Sequence, residues 1–98
     1  MNVSFLDIAS LELHDAFEYY EYQQENLGRK FVFEVENAIE RITYYPHAWH
    51  NFSKQTRRCL VKNFPYGIIY RVSEDHNILI IAVMNLHRKP NYWTNRLQ

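Results

Sequence analysis

The residues best suited to chemistry lie in the segment Asn85–Arg96, which reads NLHRKPNYWTNR. It holds a histidine, three cations, a tyrosine and a tryptophan directly after the longest apolar run of the chain. Histidine and tyrosine can transfer protons, and cations stabilise developing negative charge. Cations beside aromatic rings also suit single-stranded RNA, and they suit an acidic protein surface equally well. The segment therefore predicts either proton transfer at a phosphate or binding of an acidic or phosphate-bearing partner.

The division of charge along the chain extends this prediction. Residues 1–50 hold nine acidic and three basic residues, a formal charge of −6, whereas residues 51–98 hold two acidic and eight basic residues, a charge of +6. Such asymmetry indicates a charged partner. The alternative is that one half neutralises the other in the fold. On the first interpretation, the target-binding residues are Arg57, Arg58, Lys62, Arg71, Arg88, Lys89 and Arg96.

Trp93 has a second possible role, as a lid on the core. A fully exposed tryptophan would lose several kcal/mol of apolar burial, at roughly 25 cal/mol per Å². We therefore predict that Tyr92 and Trp93 close the core, while Arg88, Lys89 and Arg96 face outward.

Several other kinds of chemistry are unsupported. Two glycines cannot build a phosphate-binding glycine-rich loop, and the single cysteine, Cys59, excludes an intrachain disulfide and reads as a small buried residue. The pairs His47 with His50, and His14 with Glu18, have ligand-like spacing, but neither has an obvious third and fourth ligand. We predict no metal and no cofactor.

Two amphipathic helices are predicted in the first half of the chain. Leu13, Ala16, Phe17 and Tyr20 recur at spacings of three and four after Ser10, a plausible N-cap, and this helix ends near Asn26. Leu27-Gly28 breaks it. The next helix runs from about residue 29 to 44, carries its own apolar stripe, and ends before Pro46. So short a break predicts an antiparallel helix hairpin.

Strands are predicted from the remaining patterns. Met1 to Phe5 can form a short strand. TRRCLVKNF alternates, with Cys59, Val61 and Asn63 on one side and Arg58, Leu60 and Lys62 on the other. FPYG is read as a turn in which Gly67 takes the left-handed conformation, and residues 68–72 form the return strand. Residues 78–84 are apolar on both faces, which predicts a central strand.

These elements predict an α+β fold in which an N-terminal antiparallel helix hairpin packs on one face of a small antiparallel sheet, as a single domain over residues 1–98. The other sheet face and its rim are then free for the cations. The chain shows no signal peptide, and its longest apolar run is far too short to span a bilayer. We therefore expect a cytoplasmic protein without membrane contact.

The order of these pieces resembles the RelE/ParE family of type II toxin–antitoxin toxins, the ParE-like plasmid stabilisation proteins among them. The resemblance covers nearly the whole chain. It is carried by AFEYYEYQQENLGRKFVFEVENAIERI, by YP, by TRRCLVKNFPYGIIYRV and by IIAVMNLHRKPNYWTNRL. It implies a small cytoplasmic toxin that is neutralised by a cognate antitoxin. An apolar surface that includes Leu60, Ile69 and Tyr70 is where we expect the antitoxin to bind, although the core is an alternative place for each.

The family resemblance leaves two targets open. RelE-like members cleave messenger RNA on the ribosome, and for such a nuclease the candidate catalytic residues are Arg58, Arg71, His87 and Tyr92. ParE-like members inhibit DNA gyrase. Many family members carry histidine where this chain has Asn85, which cannot titrate, and a neutral chain binds RNA less readily than a basic one. The FPYG and PNYW motifs look more ParE-like. We therefore favour gyrase, with the nuclease and a degenerate antitoxin-binding module as alternatives.

Overall fold

A computed structural model describes residues 2–97 of the chain. The elements in chain order are β1 (Val3–Phe5), α1 (Asp7–Gln23), α2 (Leu27–Tyr44), β2 (Arg57–Leu60), β3 (Tyr66–Val72), β4 (Ile78–Asn85) and a short 3-10 helix (Thr94–Leu97). The α+β class and the helix hairpin are confirmed.

The sheet has the order β1-β4-β3-β2. The prediction that the apolar strand is central is confirmed, because β4 pairs with a neighbour on each side. The sheet is antiparallel, as predicted, except at one edge, where β1 pairs with β4 in parallel. Between these two strands the chain passes through the helix hairpin, β2 and β3, and this long connection allows it to return in the same direction.

The helix hairpin covers one face of the sheet. Phe31, Val35, Ala38 and Ile42 of α2 are fully or almost fully buried against strand residues that include Cys59. Cys59 is 0% exposed, so it is a packing residue, as its place in an alternating strand predicted.

The opposite face of the sheet is also covered, which the sequence interpretation missed. Ile69, Ile81 and Met84 on this face pack with Trp93, which is 1% exposed, and with Phe52 from the loop between α2 and β2. The prediction of Trp93 as a lid is confirmed. The prediction of a free second face for cations is wrong, because the chain after β4 folds back across it.

The helix boundaries differ from the prediction at the first helix. Ser10 lies inside α1, which begins at Asp7, an acid that suits the positive end of the helix dipole. Between the helices, Asn26 has φ of 70°. The carboxylate of Glu21 accepts hydrogen bonds from the backbone N–H groups of Asn26 (2.9 Å) and Gly28 (3.0 Å), and this satisfies two groups at the start of α2.

Gly28 does not break the helix but lies in the first turn of α2. A Cβ added there would lie 2.5 Å from the carbonyl oxygen of Phe17 and 2.9 Å from the Cβ of Glu21. The glycine therefore permits the close approach of the two helices.

The connection between β2 and β3 also differs from the prediction. Gly67 lies within β3 and has no positive φ, whereas Asn63 adopts the left-handed conformation with φ of 69°. Asparagine tolerates this region better than most residues with a side chain. Gly67 serves another purpose, because a Cβ added there would lie 3.1 Å from Cγ and Cδ of Arg58. The aliphatic part of the Arg58 side chain lies over Gly67 at this point.

Candidate partner-binding surfaces

Several of the basic residues line depressions of the surface. The first, which we call the β2 groove, has a volume of about 500 Å³ and lies beside the outer strand β2. Its lining residues are Arg41, Ala48, Trp49, His50, Arg58, Leu60 and Lys62. It therefore combines apolar side chains with three permanent cations and no carboxylate.

Two arginines of the β2 groove are held in place by contacts within the chain. Arg41 of α2 donates through Nη2 to the carbonyl oxygen of Leu60 (3.2 Å). The guanidinium of Arg58 lies 4.6 Å from the ring centroid of Phe52, which in turn stacks on Trp93 at 5.8 Å. Cation–π contacts of this kind stabilise the position of a guanidinium while its edge remains available for hydrogen bonds.

A second depression, of about 450 Å³, contains Arg57, Arg71 and Lys54 at the corner where β3 ends. Arg57 donates through Nη1 to the carbonyl oxygens of Trp49 (2.6 Å) and His47 (3.2 Å). These bonds fix the loop after α2 against β2. Arg57 therefore has a structural role, and Arg71, which is half-buried, lines the same depression.

A third group of residues lies at the open edge of β4. β1 is short and pairs with β4 at residues 78–80, so the following part of this edge has no neighbouring strand. Glu12 of α1 accepts a hydrogen bond from the backbone N–H of Val83 (3.0 Å), and Arg96 donates to the carbonyl oxygen of Ile81 (3.0 Å). Arg96 also forms a two-pronged ion pair with Glu12, at 2.8 and 3.0 Å.

Tyr92 completes this arrangement, which we call the edge seal and define as Glu12, Tyr92 and Arg96. The hydroxyl of Tyr92 donates to Glu12 (2.6 Å). Burial, and then the hydrogen bond to Glu12, raise the pKa of Tyr92 above its ordinary value. The hydroxyl therefore keeps its proton at neutral pH and acts as a hydrogen-bond donor to Glu12 within the fold.

Arg96 does not face outward as predicted. Its side chain is only 11% exposed, because the carboxylate of Glu12 and the edge of β4 hold it. Arg88, Lys89 and His87 are exposed, as the sequence interpretation required for the first two. The guanidinium of Arg88 stacks on the ring of Tyr92, 3.9 Å from its centroid, so a residue of the edge seal holds this exposed cation in place.

The four residues predicted for a nuclease lie in different places. Arg58 lines the β2 groove, Arg71 lines the corner depression, and Tyr92 lies in the edge seal. His87 is exposed after β4, where its backbone N–H bonds to the side chain of Asn85 (2.8 Å). Arg58 and Arg71 thus line different depressions, and the hydroxyl of Tyr92 is bonded to Glu12.

The three residues predicted to bind an antitoxin also separate. Leu60 is 51% exposed in the β2 groove, whereas Ile69 and Tyr70 are 0% exposed. The hydroxyl of Tyr70 donates to the carbonyl oxygen of Pro46 (2.6 Å). Ile69 and Tyr70 are therefore core residues, and of the three only Leu60 is accessible to a partner.

Glu12, Arg41 and Trp49 matter to these surfaces and were missed from the sequence. Glu12 reads as one more acid on an acidic helix, and its partners lie more than 70 residues away. Arg41 was visible only as a cation in the last turn of α2, where it also suits the helix dipole. No local pattern distinguishes Trp49 from other loop residues.

Two further properties bear on function. Across residues 2–97, no group of three or more His, Cys, Asp or Glu side chains is arranged to hold a metal ion. In the same part of the chain, neither helix combines the length and apolar character that crossing a membrane requires.

Comparison with known proteins agrees with this architecture. A family model described as the ParE toxin of the type II toxin–antitoxin system ParDE matches residues 3–90. A comparison with curated protein sequences finds no significant match. Among solved structures, the fold is similar to a chain from the chromosomal ParDE toxin–antitoxin system of P. aeruginosa, with a TM-score of 0.63 and 15% sequence identity. The alignment covers 89% of this chain and 97% of that chain.

Proposed function

This chain belongs to the ParE toxin family of type II toxin–antitoxin systems, and from this membership we propose that it arrests growth by binding DNA gyrase until a cognate antitoxin neutralises it. Because both proposed partners are cytoplasmic, we propose the same location for this chain. The proposed contact with the target is made by the exposed cations that follow β4, Arg88 and Lys89.

The observation that supports the proposal is how firmly the fold holds the segment that carries these cations. The segment after β4 is attached at Trp93, which is 1% exposed, and at Arg96, which is ion-paired with Glu12. Between these anchors and β4, Arg88 stacks on Tyr92. Such an arrangement presents positive charge on a fixed support, and preorganised charge increases the affinity and specificity of binding to an acidic or phosphate-bearing surface.

The nuclease alternative receives less support. Cleavage through a 2′-hydroxyl needs a base, an acid and cations around one phosphate. Arg58 and Arg71 line different depressions, and the hydroxyl of Tyr92 is occupied by Glu12 and has a raised pKa. His87 is left as the one candidate for proton transfer among the four. Binding without cleavage fits this arrangement better.

The test is reversal of charge at the proposed contact. We expect the double variant Arg88→Glu, Lys89→Glu to lose growth arrest on induction, because an acidic surface would repel it. The thermal unfolding midpoint should stay within a few degrees of the original, since both side chains are exposed. Lys30→Glu, an exposed cation on α2, is the matched control and should remain toxic.

A biochemical assay then identifies the target. The purified protein should inhibit supercoiling by DNA gyrase in vitro, and the double variant should not. Primer extension on transcripts after brief induction addresses the nuclease. New 5′ ends at regular codon positions, with gyrase unaffected, would refute the gyrase proposal. Absence of any growth phenotype from the unaltered protein would instead indicate a degenerate antitoxin-binding module.

A further inference from the structure

The corner depression lies at the end of the sheet where β2 begins and β3 ends. Arg57, the first residue of β2, pairs with Tyr70 of β3, so residues 71–73 extend past the end of β2. The loop between α2 and β2 forms the other side of the depression. Its volume of about 450 Å³ is within the usual range of sites for small ligands.

The side chains around the corner depression are mostly hydrogen-bond donors. Lys54, Arg57 and Arg71 are cations, and Glu74 is the one carboxylate among the described lining residues. Amide and hydroxyl groups supply further donors, from Asn51, Gln55 and Ser73. A phosphate group carries its negative charge on several oxygens that accept hydrogen bonds from different directions, so it suits this lining.

The two arginines have donors available for such a ligand. Arg57 uses Nη1 for the carbonyl oxygens of Trp49 (2.6 Å) and His47 (3.2 Å), which leaves Nε and Nη2 for another acceptor. These bonds hold the guanidinium in place beforehand, so less side-chain entropy is lost when a ligand binds. Arg71 is half-buried, and across residues 2–97 no carboxylate lies within ion-pair distance of its guanidinium.

Ser73 and Glu74 complete the lining at the end of β3. The hydroxyl oxygen of Ser73 accepts a hydrogen bond from the backbone N–H of Asn77 (3.1 Å), so its hydrogen can be donated to a ligand. Glu74 is exposed, and within the described part of the chain it forms no ion pair with lysine or arginine. Its carboxylate therefore leaves the three cations without direct neutralisation.

An acidic segment of another protein is the alternative ligand. Protein interfaces have an apolar centre that buries side chains of the partner. The apolar residues of the corner depression are Tyr70, which is 0% exposed, and Val72, which packs against the core. Donors on several sides, without an exposed apolar wall, favour a phosphate group over a peptide.

We propose that the corner depression is a phosphate-binding site, in which Lys54, Arg57 and Arg71 together hold the phosphate group of a nucleotide or of a nucleic-acid backbone. This inference goes beyond the proposed function, because it holds whether or not gyrase is the target. It also separates Arg57 and Arg71 from the cations after β4, to which the proposed function assigns the contact with the target.

The first experiment titrates the full-length, isotope-labelled protein with inorganic phosphate at constant pH and ionic strength, followed by NMR. We expect saturable shifts of the amide signals from residues 54–57 and 71–74. Arg71→Gln should weaken binding by about tenfold, since a charge-assisted hydrogen bond is lost. Arg29→Gln, at an exposed arginine of α2, is the matched control and should bind within about twofold of the original.

Glu74→Gln tests the sign of the electrostatic effect without removing a donor. Because the carboxylate repels phosphate, its removal should strengthen binding by about twofold. Circular dichroism checks that each variant keeps the fold. Shifts that do not saturate, that sodium chloride reproduces, or that persist with unchanged affinity in Arg71→Gln would overturn the proposal.

A second set of titrations identifies the source of the phosphate. The probes are adenosine monophosphate and a short single-stranded oligothymidylate. Tighter binding of the monophosphate than of inorganic phosphate, with the same shifted signals, would indicate a free nucleotide. Tighter binding of the oligonucleotide would indicate a nucleic-acid backbone. If neither exceeds inorganic phosphate, or if a glutamate-rich peptide binds the same residues more tightly than all three, the proposal is wrong.

Discussion

Glu12 shows how much one side chain can contribute to this fold. Its carboxylate accepts hydrogen bonds from the backbone of Val83, from the hydroxyl of Tyr92 and, through two nitrogens, from Arg96. The side chain is 14% exposed. Removal of one member of such a pair leaves the other charge buried without a partner, which costs more than the pair itself contributes.

We therefore predict that Glu12→Ala lowers the free energy of unfolding by about 3–5 kcal/mol. Urea denaturation followed by circular dichroism measures this loss. Glu18→Ala, on the same helix with its side chain 64% exposed, is the control and should change stability by less than about 0.5 kcal/mol. Equal losses in the two variants would contradict a structural role for Glu12.

Tyr92 makes stability depend on alkaline pH. Its pKa is raised in the folded chain, so the unfolded chain releases this proton first as the pH passes about 10. Above that pH the folded state binds more protons than the unfolded state, and the free energy of unfolding falls as pH rises. The contribution is complete below pH 10 and is lost progressively above it.

Tyr92→Phe should therefore reduce the steepness of this alkaline loss, by up to about 1.4 kcal/mol per pH unit. Some loss will persist, because burial also raises the pKa values of Tyr70, Tyr66 and Tyr20. Urea unfolding at several pH values between 9 and 11 tests this. Tyr22→Phe, at a tyrosine that is 95% exposed, is the comparison variant.

At the scale of elements, the helix hairpin depends on Gly28. Alanine is a better helix former than glycine by about 1 kcal/mol, so propensity alone predicts that Gly28→Ala stabilises α2. The structure predicts the opposite sign, because the new Cβ would lie 2.5 Å from the backbone oxygen of Phe17. Backbone cannot move aside as a flexible side chain can.

We expect Gly28→Ala to destabilise the protein by about 1–3 kcal/mol through overpacking. Thermal and urea unfolding both report it. Glu36→Ala, at an exposed position of α2, provides the comparison and should be nearly neutral. A stabilised Gly28→Ala variant would show that the two helices separate more easily than the structure indicates.

The elements were largely predictable, whereas their ends and contacts were less so. Apolar periodicity located α1, α2 and the central strand β4, because burial on one or both faces leaves a repeat in the sequence. Ser10 was misread as the start of α1, since a good capping residue also occurs inside helices. Gly67 was misread as the turn because its real role, room for the stem of Arg58, involves a residue on another strand.

At the scale of the whole molecule, both faces of the sheet are covered. The helices cover one, and the segment around Trp93 covers the other. Trp93→Ala should therefore lower the free energy of unfolding by about 3–5 kcal/mol, the usual cost of deleting a large buried aromatic side chain.

The Trp93→Ala variant should also bind a dye for exposed apolar surface, such as ANS, because Ile69, Ile81 and Met84 lose their cover. Trp93→Phe keeps most of the ring and should lose less stability. A Trp93→Ala variant as stable as the original would mean that the segment after β4 contributes little to the core.

The separation of charge was predicted in part. Across residues 2–97, Arg96 with Glu12 is the one arginine– or lysine–carboxylate ion pair, so direct ion pairing between the two halves is limited to this contact. The candidate site residues were harder to predict than the charge. Composition identifies a basic half, but only the folded chain shows that Arg96 is buried, that Arg57 anchors a loop, and that Arg88 and Lys89 remain exposed.

The partners in the edge seal are separated by most of the chain, because Arg96 follows Glu12 by 84 positions. During translation, α1 is synthesised long before Arg96, the arginine that pairs with the carboxylate of Glu12. Until then the carboxylate of Glu12 has none of its three partners, Val83, Tyr92 and Arg96. The edge seal can therefore form only after Arg96 has left the ribosome, so the first and last parts of the described chain must fold together.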